Sequence, residues 1–129
     1  MINISCKVIA SPVFSADWFS HHINDWDKYK LFFEGKSNLR CLEIGSYEGR
    51  STLYIAKNIC KNKDSIIYSF DTWCGSMEHN AEFEKDLFLR FSYNLKNFIN
   101  KKQVIPIKAE SKKTLINFLN LLYEYNKLM

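Results

Sequence analysis

The chain has 129 residues, of which 47% are hydrophobic and 25% charged, a composition typical of one folded domain. Glycine and proline are scarce, with 4 and 2 residues, and no apolar run approaches the roughly 18 residues of a membrane span, which excludes collagen-like, disordered and transmembrane chains. The 18 basic and 14 acidic residues leave a net charge of +4, short of the strongly basic surface of a dedicated nucleic-acid binder. We therefore expect one folded domain that binds neither nucleic acid nor membranes.

The cysteines and the N-terminal segment indicate the cellular compartment in which we expect the protein. The four cysteines, at positions 6, 41, 60 and 74, form no C-x-x-C pair and no zinc-type spacing, so no metal site is expected. The first residues lack a basic region followed by a continuous apolar region, so no secretory signal is predicted. Free thiols in a reducing cytoplasm are the expectation.

Residues 1–36 predict a short strand followed by a helical cap. Residues 2–9 alternate apolar and polar side chains, the period of a half-buried strand. Residues 15–35 carry large apolar side chains at three- and four-residue intervals until Gly35, which predicts one helix or two short ones with an aromatic face. We interpret this face as a packing surface, because aromatic side chains bury large areas.

Residues 37–129 contain three strand-and-helix units. Apolar runs at 39–44, 65–70 and 103–107 predict strands, and helical spacing follows each of them, at 49–62, at 81–100 and from Ser111. Pro106 should restrict the third strand to an edge or to its non-donating side. Alternating strands and helices predict an α/β fold of three layers with a short parallel sheet, in which ligands bind beyond the carboxyl ends of the strands.

The loops after the first two strands carry the strongest site signal. The first reads E-I-G-S-Y-E-G-R-S-T, in which Gly45 permits a sharp turn and Gly49 a close backbone approach, and the next helix offers free N–H groups. The second strand ends at Asp71, 26 positions beyond Gly45, where nucleotide-binding α/β units place the acid that accepts ribose hydroxyls. NAD-type dehydrogenases are a rival class, but they need glycine where this chain has Tyr47.

The two motifs together resemble a known family. LEIGSYEGRST followed by SFDTWCGSMEHN is similar to class I S-adenosylmethionine-dependent methyltransferases, in particular a small bacterial group with E-I-G-x-x-x-G-x-S and D-T-W/F-x-G-S-x-E-H motifs. The upstream DWFS and Trp26 resemble the helix that precedes the first motif in those proteins. The resemblance implies a Rossmann-like fold and S-adenosylmethionine as the cofactor.

The resemblance also implies roles for individual residues. The pocket for the methionine part of the cofactor would comprise Glu43, Gly45, Ser46, Tyr47, Gly49 and Ser51. Asp71 would accept the ribose hydroxyls, and Thr72 and Trp73 would lie beside the adenosine, with core packing as the alternative for Trp73. Glu110 falls where the family contacts the adenine ring, although it could equally be the N-terminal acid of the last helix.

The resemblance implies methyl transfer to an unidentified small-molecule acceptor, but the catalytic residues stay unknown. Glu78 and His79 form an acid and imidazole pair that we interpret as part of a structural or substrate loop. The alternative function is a non-catalytic binding or interaction module that retains the fold.

The resemblance covers roughly residues 14 to 118, and the later strands of the family sheet have no counterpart in these 129 residues. We therefore expect a shortened domain, half of the class I fold, in which the outer edge of the first strand lacks its neighbour. Residues 2–9, a second copy of the chain or a different chain could cover that edge. Self-association is the hypothesis we favour.

Overall fold

The computed structural model describes residues 11–74 and 81–128. The predicted strand at residues 2–9 and the pair Glu78 and His79 lie outside the described residues. A 3-10 turn at Ser20–His22 leads into helix α1 (Ile23–Phe33), and the strands are β1 (Arg40–Ile44), β2 (Ile66–Asp71) and β3 (Val104–Lys108). The other helices are α2 (Arg50–Asn58), α3 (Ala81–Asn94), α4 (Lys96–Asn100) and α5 (Ser111–Leu128).

The three strands form one parallel sheet in the order β1-β2-β3, which confirms the α/β prediction. In the register, Glu43 lies beside Ser69, and Asp71 lies beside Lys108. Among the described strands β3 lies at an edge, as Pro106 predicted, because proline has no N–H to donate to a further strand. Among the described residues β1 pairs with β2 alone, so its other edge has no strand beside it.

The core lies on one face of the sheet. Ile67 and Val104 from the sheet, Ile55 and Ala56 from α2, and the α3 side chains Leu87 and Phe91 form one buried cluster. Leu42 and Ile44 point to the opposite face of β1 and remain exposed, although Phe118 of α5 contacts Phe70 there with ring centroids 6.2 Å apart. The described part of α5 therefore covers β2 and leaves β1 open.

The predicted helix over residues 81–100 is divided in two at Leu95. Leu95 has φ −105° and ψ 7°, and its N–H still donates to the carbonyl of Phe91 at 3.0 Å. Its side chain is fully buried against the β1–α2 loop, and the chain turns there so that Phe98 and Ile99 reach the same core. Tertiary packing therefore overrides the continuous helical spacing.

The aromatic face predicted for residues 15–35 is only partly a packing surface. Phe19 is buried, and its ring lies 5.4 Å from that of Trp26 and 5.3 Å from that of Tyr54 on α2. Trp18 and Phe32 are more than half exposed.

None of the described helices is long and apolar enough to cross a bilayer.

Candidate active site

A carboxylate at the end of β2 joins the two predicted loops. Asp71 Oδ2 accepts a hydrogen bond from the Tyr47 N–H at 2.8 Å, and Asp71 Oδ1 accepts one from the Trp73 N–H at 2.9 Å. The Trp73 indole N–H then donates to the Tyr47 carbonyl at 3.0 Å, which closes the network. We call Tyr47, Asp71 and Trp73 the loop clamp.

The loop clamp holds two residues in an uncommon backbone conformation. Tyr47 and Trp73 have φ values of 50° and 49°, a left-handed region that aromatic residues rarely occupy. Such a conformation persists only where surrounding contacts impose it, and it clusters at functional sites. The hydrogen bonds to Asp71 and the burial of Trp73 against the rings of Phe88 and Phe91 supply those contacts.

Trp73 is a core side chain in this structure. It is 2% exposed, and its ring centroid lies 4.9 Å from those of Phe88 and Phe91. This placement favours the packing alternative from the sequence, while contact with an adenosine group stays a prediction. Thr72 is half-buried, and its Oγ1 accepts a hydrogen bond from the Cys74 N–H at 3.2 Å.

Glu43 lies one residue before the end of β1 and is held by hydroxyl groups from α2. Ser51 Oγ donates to Glu43 Oε2 at 2.8 Å, and Thr52 Oγ1 donates to Glu43 Oε1. Burial raises the pKa of the Glu43 carboxyl; the hydroxyls of Thr52, Ser46 and Ser51 oppose this shift, and the charge of Asp71 adds to it. The two carboxylates thus lie near one another at the same edge of the sheet.

Replacing Glu43 with glutamine should reduce the pH dependence of stability. Because the pKa of Glu43 is higher in the folded state than in the unfolded state, its protonated form favours folding. This contribution is complete below the unfolded-state pKa of about 4.5 and is lost as the pH rises through the folded-state pKa. Relative to Glu43→Gln, the wild type should lose free energy of unfolding as the pH rises above about 4.5, by at most about 1.4 kcal/mol per pH unit. Urea titrations across this range measure the difference, and parallel curves for the two proteins would contradict the assignment.

The two glycines of the first motif have different surroundings. Both have positive φ, 83° for Gly45 and 86° for Gly49. A Cβ on Gly45 would meet nothing within 4 Å, whereas a Cβ on Gly49 would lie 2.2 Å from Leu95 Cδ2 and 3.0 Å from Phe91 Cδ2. The close approach predicted at Gly49 is therefore to the core, and Gly45 is the glycine that borders open space.

Two cavities border this loop. The smaller, about 160 Å³, is lined by the loop and by the segment before α1, including Gly45, Ser46, Ser51 and Trp18. The Trp18 ring lies 4.8 Å from that of Tyr47 at this cavity. The larger, about 630 Å³, runs along the open edge of β1 and shares Gly45 and Ser51 with the first, together with Glu43. Five of the predicted cofactor residues therefore border one or both of these neighbouring cavities: Glu43, Gly45, Ser46, Tyr47 and Ser51.

Glu110 lies at the end of the sheet but outside both cavities. It directly precedes α5, its carbonyl accepts the Thr114 N–H at 2.9 Å, and its exposed carboxylate lies 3.6 Å from Lys113 Nζ. These contacts are those of a residue at a helix N-terminus, the alternative that the sequence left open. Contact with an adenine ring stays a prediction.

Sequence reasoning missed a buried carboxylate in the same loop. Glu48 is 1% exposed, and its carboxylate accepts hydrogen bonds from the Ser15 N–H at 2.9 and 3.1 Å and from Arg90 Nη1 at 2.7 Å. Asn94 Nδ2 donates to the Glu48 carbonyl at 2.9 Å, and the Asn94 side chain also exchanges two hydrogen bonds with the backbone of Val13. We call Glu48, Arg90 and Asn94 the buried polar triad.

One sequence signal for the buried polar triad was available. Asn94 follows Leu87 and Phe91 at helical spacing, so a polar side chain falls on the apolar face of α3 and needs a buried partner. Glu48 gives no such signal, because a glutamate in a glycine-containing loop is usually solvated.

The described residues contain no group of three or more histidine, cysteine, aspartate and glutamate side chains suited to a metal ion.

Comparison with known families agrees with this geometry. The sequence profile of a methyltransferase domain family matches residues 42–123, more than half of the chain. The match begins in β1, includes both loops of the site and extends into α5. The chain therefore belongs to this methyltransferase domain family and has a class I S-adenosylmethionine-dependent methyltransferase-like domain. No curated protein and no solved structure matches it.

Proposed function

We propose that this domain binds S-adenosylmethionine at the carboxyl ends of β1 and β2 and transfers its methyl group to a small-molecule acceptor. The observation that carries the proposal is the loop clamp, in which one carboxylate at the end of β2 fixes the loop that follows β1. The family match over the same loops supports it independently.

The donor and acceptor groups of the site fit this cofactor. Glu43 can accept a hydrogen bond from an ammonium group, and the Ser46 hydroxyl can donate to a carboxylate, whereas the Ser51 hydroxyl already donates to Glu43. The open space beside Gly45 leaves room for a ligand at the loop. Each Asp71 oxygen accepts one amide hydrogen and keeps a second lone pair for a ribose hydroxyl. The proposed contacts thus use atoms that the fold leaves available.

The residues of this chain bind and orient; the bound cofactor supplies the chemistry, an electrophilic methyl group on a sulfonium. Glu43 would orient the amino-acid end of the ligand, and its own position is fixed by Ser51 and Thr52. Asp71 would set the ribose with a carboxylate already immobilised by two amides. Such positioned groups align reacting atoms without a further ordering cost during the reaction.

The binding test compares two glycines with the same backbone conformation. Gly45→Ala should weaken S-adenosylhomocysteine binding at least about tenfold, because the new methyl group enters the space at the loop. Gly35→Ala is the matched control: Gly35 has φ 74° and open space at its Cβ position, but it lines neither cavity. Isothermal titration calorimetry measures the dissociation constant of S-adenosylhomocysteine for both variants.

The outcomes of this titration separate the candidate functions. Equal binding by the two variants would place the ligand elsewhere, and no binding by the wild type would favour the non-catalytic interaction module. Cytoplasmic location is part of the same proposal, supported by Cys41, Cys60 and Cys74, which are free thiols in the structure.

We also propose that a second copy of the chain covers the open edge of β1. Exposed Leu42 and Ile44 lie on this strand, and an uncovered edge strand with apolar side chains favours pairing with another chain. Sedimentation velocity at micromolar concentration should show a dimer that Leu42→Lys weakens. A wild-type monomer over this concentration range would contradict the proposal.

A further inference from the structure

Two cysteines that the proposed function does not use lie against each other beside the open edge of β1. Cys41 is in β1, and Cys60 follows α2 by two residues. Both are free thiols; Cys60 is 3% exposed within the core cluster, and Cys41 packs against that cluster while half-buried. They are 19 positions apart in sequence, so only the β1–α2 fold brings them together.

Both cysteines are held by regular backbone contacts. Cys41 lies beside Ile67 in the β1–β2 register, and the Cys60 N–H donates to the Ile55 carbonyl at 2.7 Å as the last turn of α2 closes. The two thiols line the same cavity, Cys41 packs against the core cluster that contains Cys60, and each thiol shifts the pKa of the other. To form a disulfide, the two side chains must therefore rotate until the sulfurs reach the S–S bond length of about 2.05 Å. The backbone already holds the two residues beside each other.

The interaction between the two thiols makes the two sulfurs inequivalent. It lowers the pKa of the Cys60 thiol and raises the pKa of the Cys41 thiol, and burial raises the latter further. Cys60 therefore loses its proton first, and the thiolate is the form that reacts with oxidants.

An oxidant has a route to the pair. Cys41 and Cys60 both line the cavity of about 630 Å³ along β1, whose other walls include Leu39, Ile55 and Ile59. A small neutral molecule such as hydrogen peroxide fits a cavity of this size, which in the single chain opens along the β1 edge.

We propose that Cys41 and Cys60 are a redox modification site that hydrogen peroxide converts to a reversible intramolecular disulfide. The Cys60 thiolate attacks one peroxide oxygen, the O–O bond breaks, and the departing hydroxide takes up the proton released by Cys60 to become water. The Cys41 sulfur then attacks the Cys60 sulfenic acid, the S–O bond breaks, and a second water leaves with the Cys41 proton. The two thiols lose two electrons in total, and one peroxide is reduced to two waters.

The experiment reads the cross-link directly in the wild-type chain. Reduced protein is treated with hydrogen peroxide, remaining thiols are alkylated in denaturant, and trypsin is added. Cleavage after lysine and arginine places Cys41 in the peptide 41–50 and Cys60 in the peptide 58–61, separate from the Cys74 peptide 64–85. We expect a species that joins 41–50 to 58–61, lighter by two hydrogen atoms than the sum, which dithiothreitol removes.

Cys74 is the internal comparison. It is exposed after β2, and its Sγ lies 3.5 Å from the Thr72 carbonyl. At the same peroxide concentration we expect Cys74 to gain oxygen atoms or to stay alkylated, while the joined peptides form in the majority of molecules. Joined peptides that instead contain Cys74, or oxygen addition on Cys41 and Cys60 without joining, would overturn the proposal.

Variants give a second readout. Cys74→Ala should leave the joined species unchanged, and Cys60→Ala should abolish it and leave Cys41 fully alkylatable. Circular dichroism checks that each variant is folded. If Cys60→Ala does not fold, the wild-type peptide map alone decides, since absence of the joined peptides there contradicts the proposal.

Discussion

Replacing Glu48 with alanine should destabilise the domain by about 1.5–3 kcal/mol, because the substitution removes the buried carboxylate that accepts the charged hydrogen bond from Arg90. The Ser15 N–H loses its acceptor in the same variant, so residues 13–15 also lose an attachment to the loop. Against a typical total stability of about 5–15 kcal/mol, this is a large fraction of the stability of a marginal protein. Urea denaturation followed by circular dichroism measures the change.

An exposed ion pair provides the control for this substitution. Lys28 Nζ lies 3.5 Å from Asp25 Oδ1 on α1, and both side chains are largely solvated. Removing an exposed pair costs about 0–1 kcal/mol, so Asp25→Ala should change stability little. A Glu48→Ala effect as small as that of Asp25→Ala would show that the buried polar triad does not hold the N-terminal segment in place.

Gly49→Ala is the second substitution with a large expected effect. The added Cβ would lie 2.2 Å from Leu95 Cδ2, so Leu95 or the loop must move, which costs about 1–3 kcal/mol. The positive φ of 86° adds about 1–2 kcal/mol for any residue with a Cβ. We expect a total loss of about 2–5 kcal/mol, measured by thermal and urea unfolding.

The Gly45→Ala variant distinguishes the cost of the steric clash from the cost of the positive φ. Gly45 has nearly the same φ, 83°, but open space where the Cβ would lie, so only the conformational cost of about 1–2 kcal/mol applies. Gly49→Ala should therefore be the less stable variant, and the double variant Gly49→Ala/Leu95→Ala should lose less stability than the sum of the two single losses, because both substitutions act on the same contact. Equal stability of the two glycine variants would contradict the packing role of Gly49.

Stability and ligand binding can be tested at different positions of this one loop. Gly49 approaches Phe91 and Leu95, whereas Gly45 borders both cavities. Glu48 pairs with Arg90 of α3 and, like Ser46, also borders the smaller cavity. A substitution at Gly49 lowers the stability of the domain together with any ligand binding, so it does not report on the proposed cofactor pocket alone. Gly45 is the informative position for that purpose.

Sequence alone determined the fold class and most of its elements. Period-two and period-3.6 spacing located the three strands and α2 and α5 to within a few residues, because the local backbone period decides which side chains share a face. The loop motif and Asp71 were found because parallel strands bring their carboxyl ends to one edge. The family assignment followed from those same residues.

Tertiary structure alone decided which residues of the motif face the core and which face open space. The sequence predicts a sharp turn at Gly45 and a close backbone approach at Gly49, and only the packing of Phe91 and Leu95 shows that the approach at Gly49 is to the core. Burial of Glu48 and contact between Cys41 and Cys60 depend on elements distant in sequence, which no local spacing encodes. The physical reason is that burial and pairing depend on how separate elements pack, whereas periodicity reports only one element at a time.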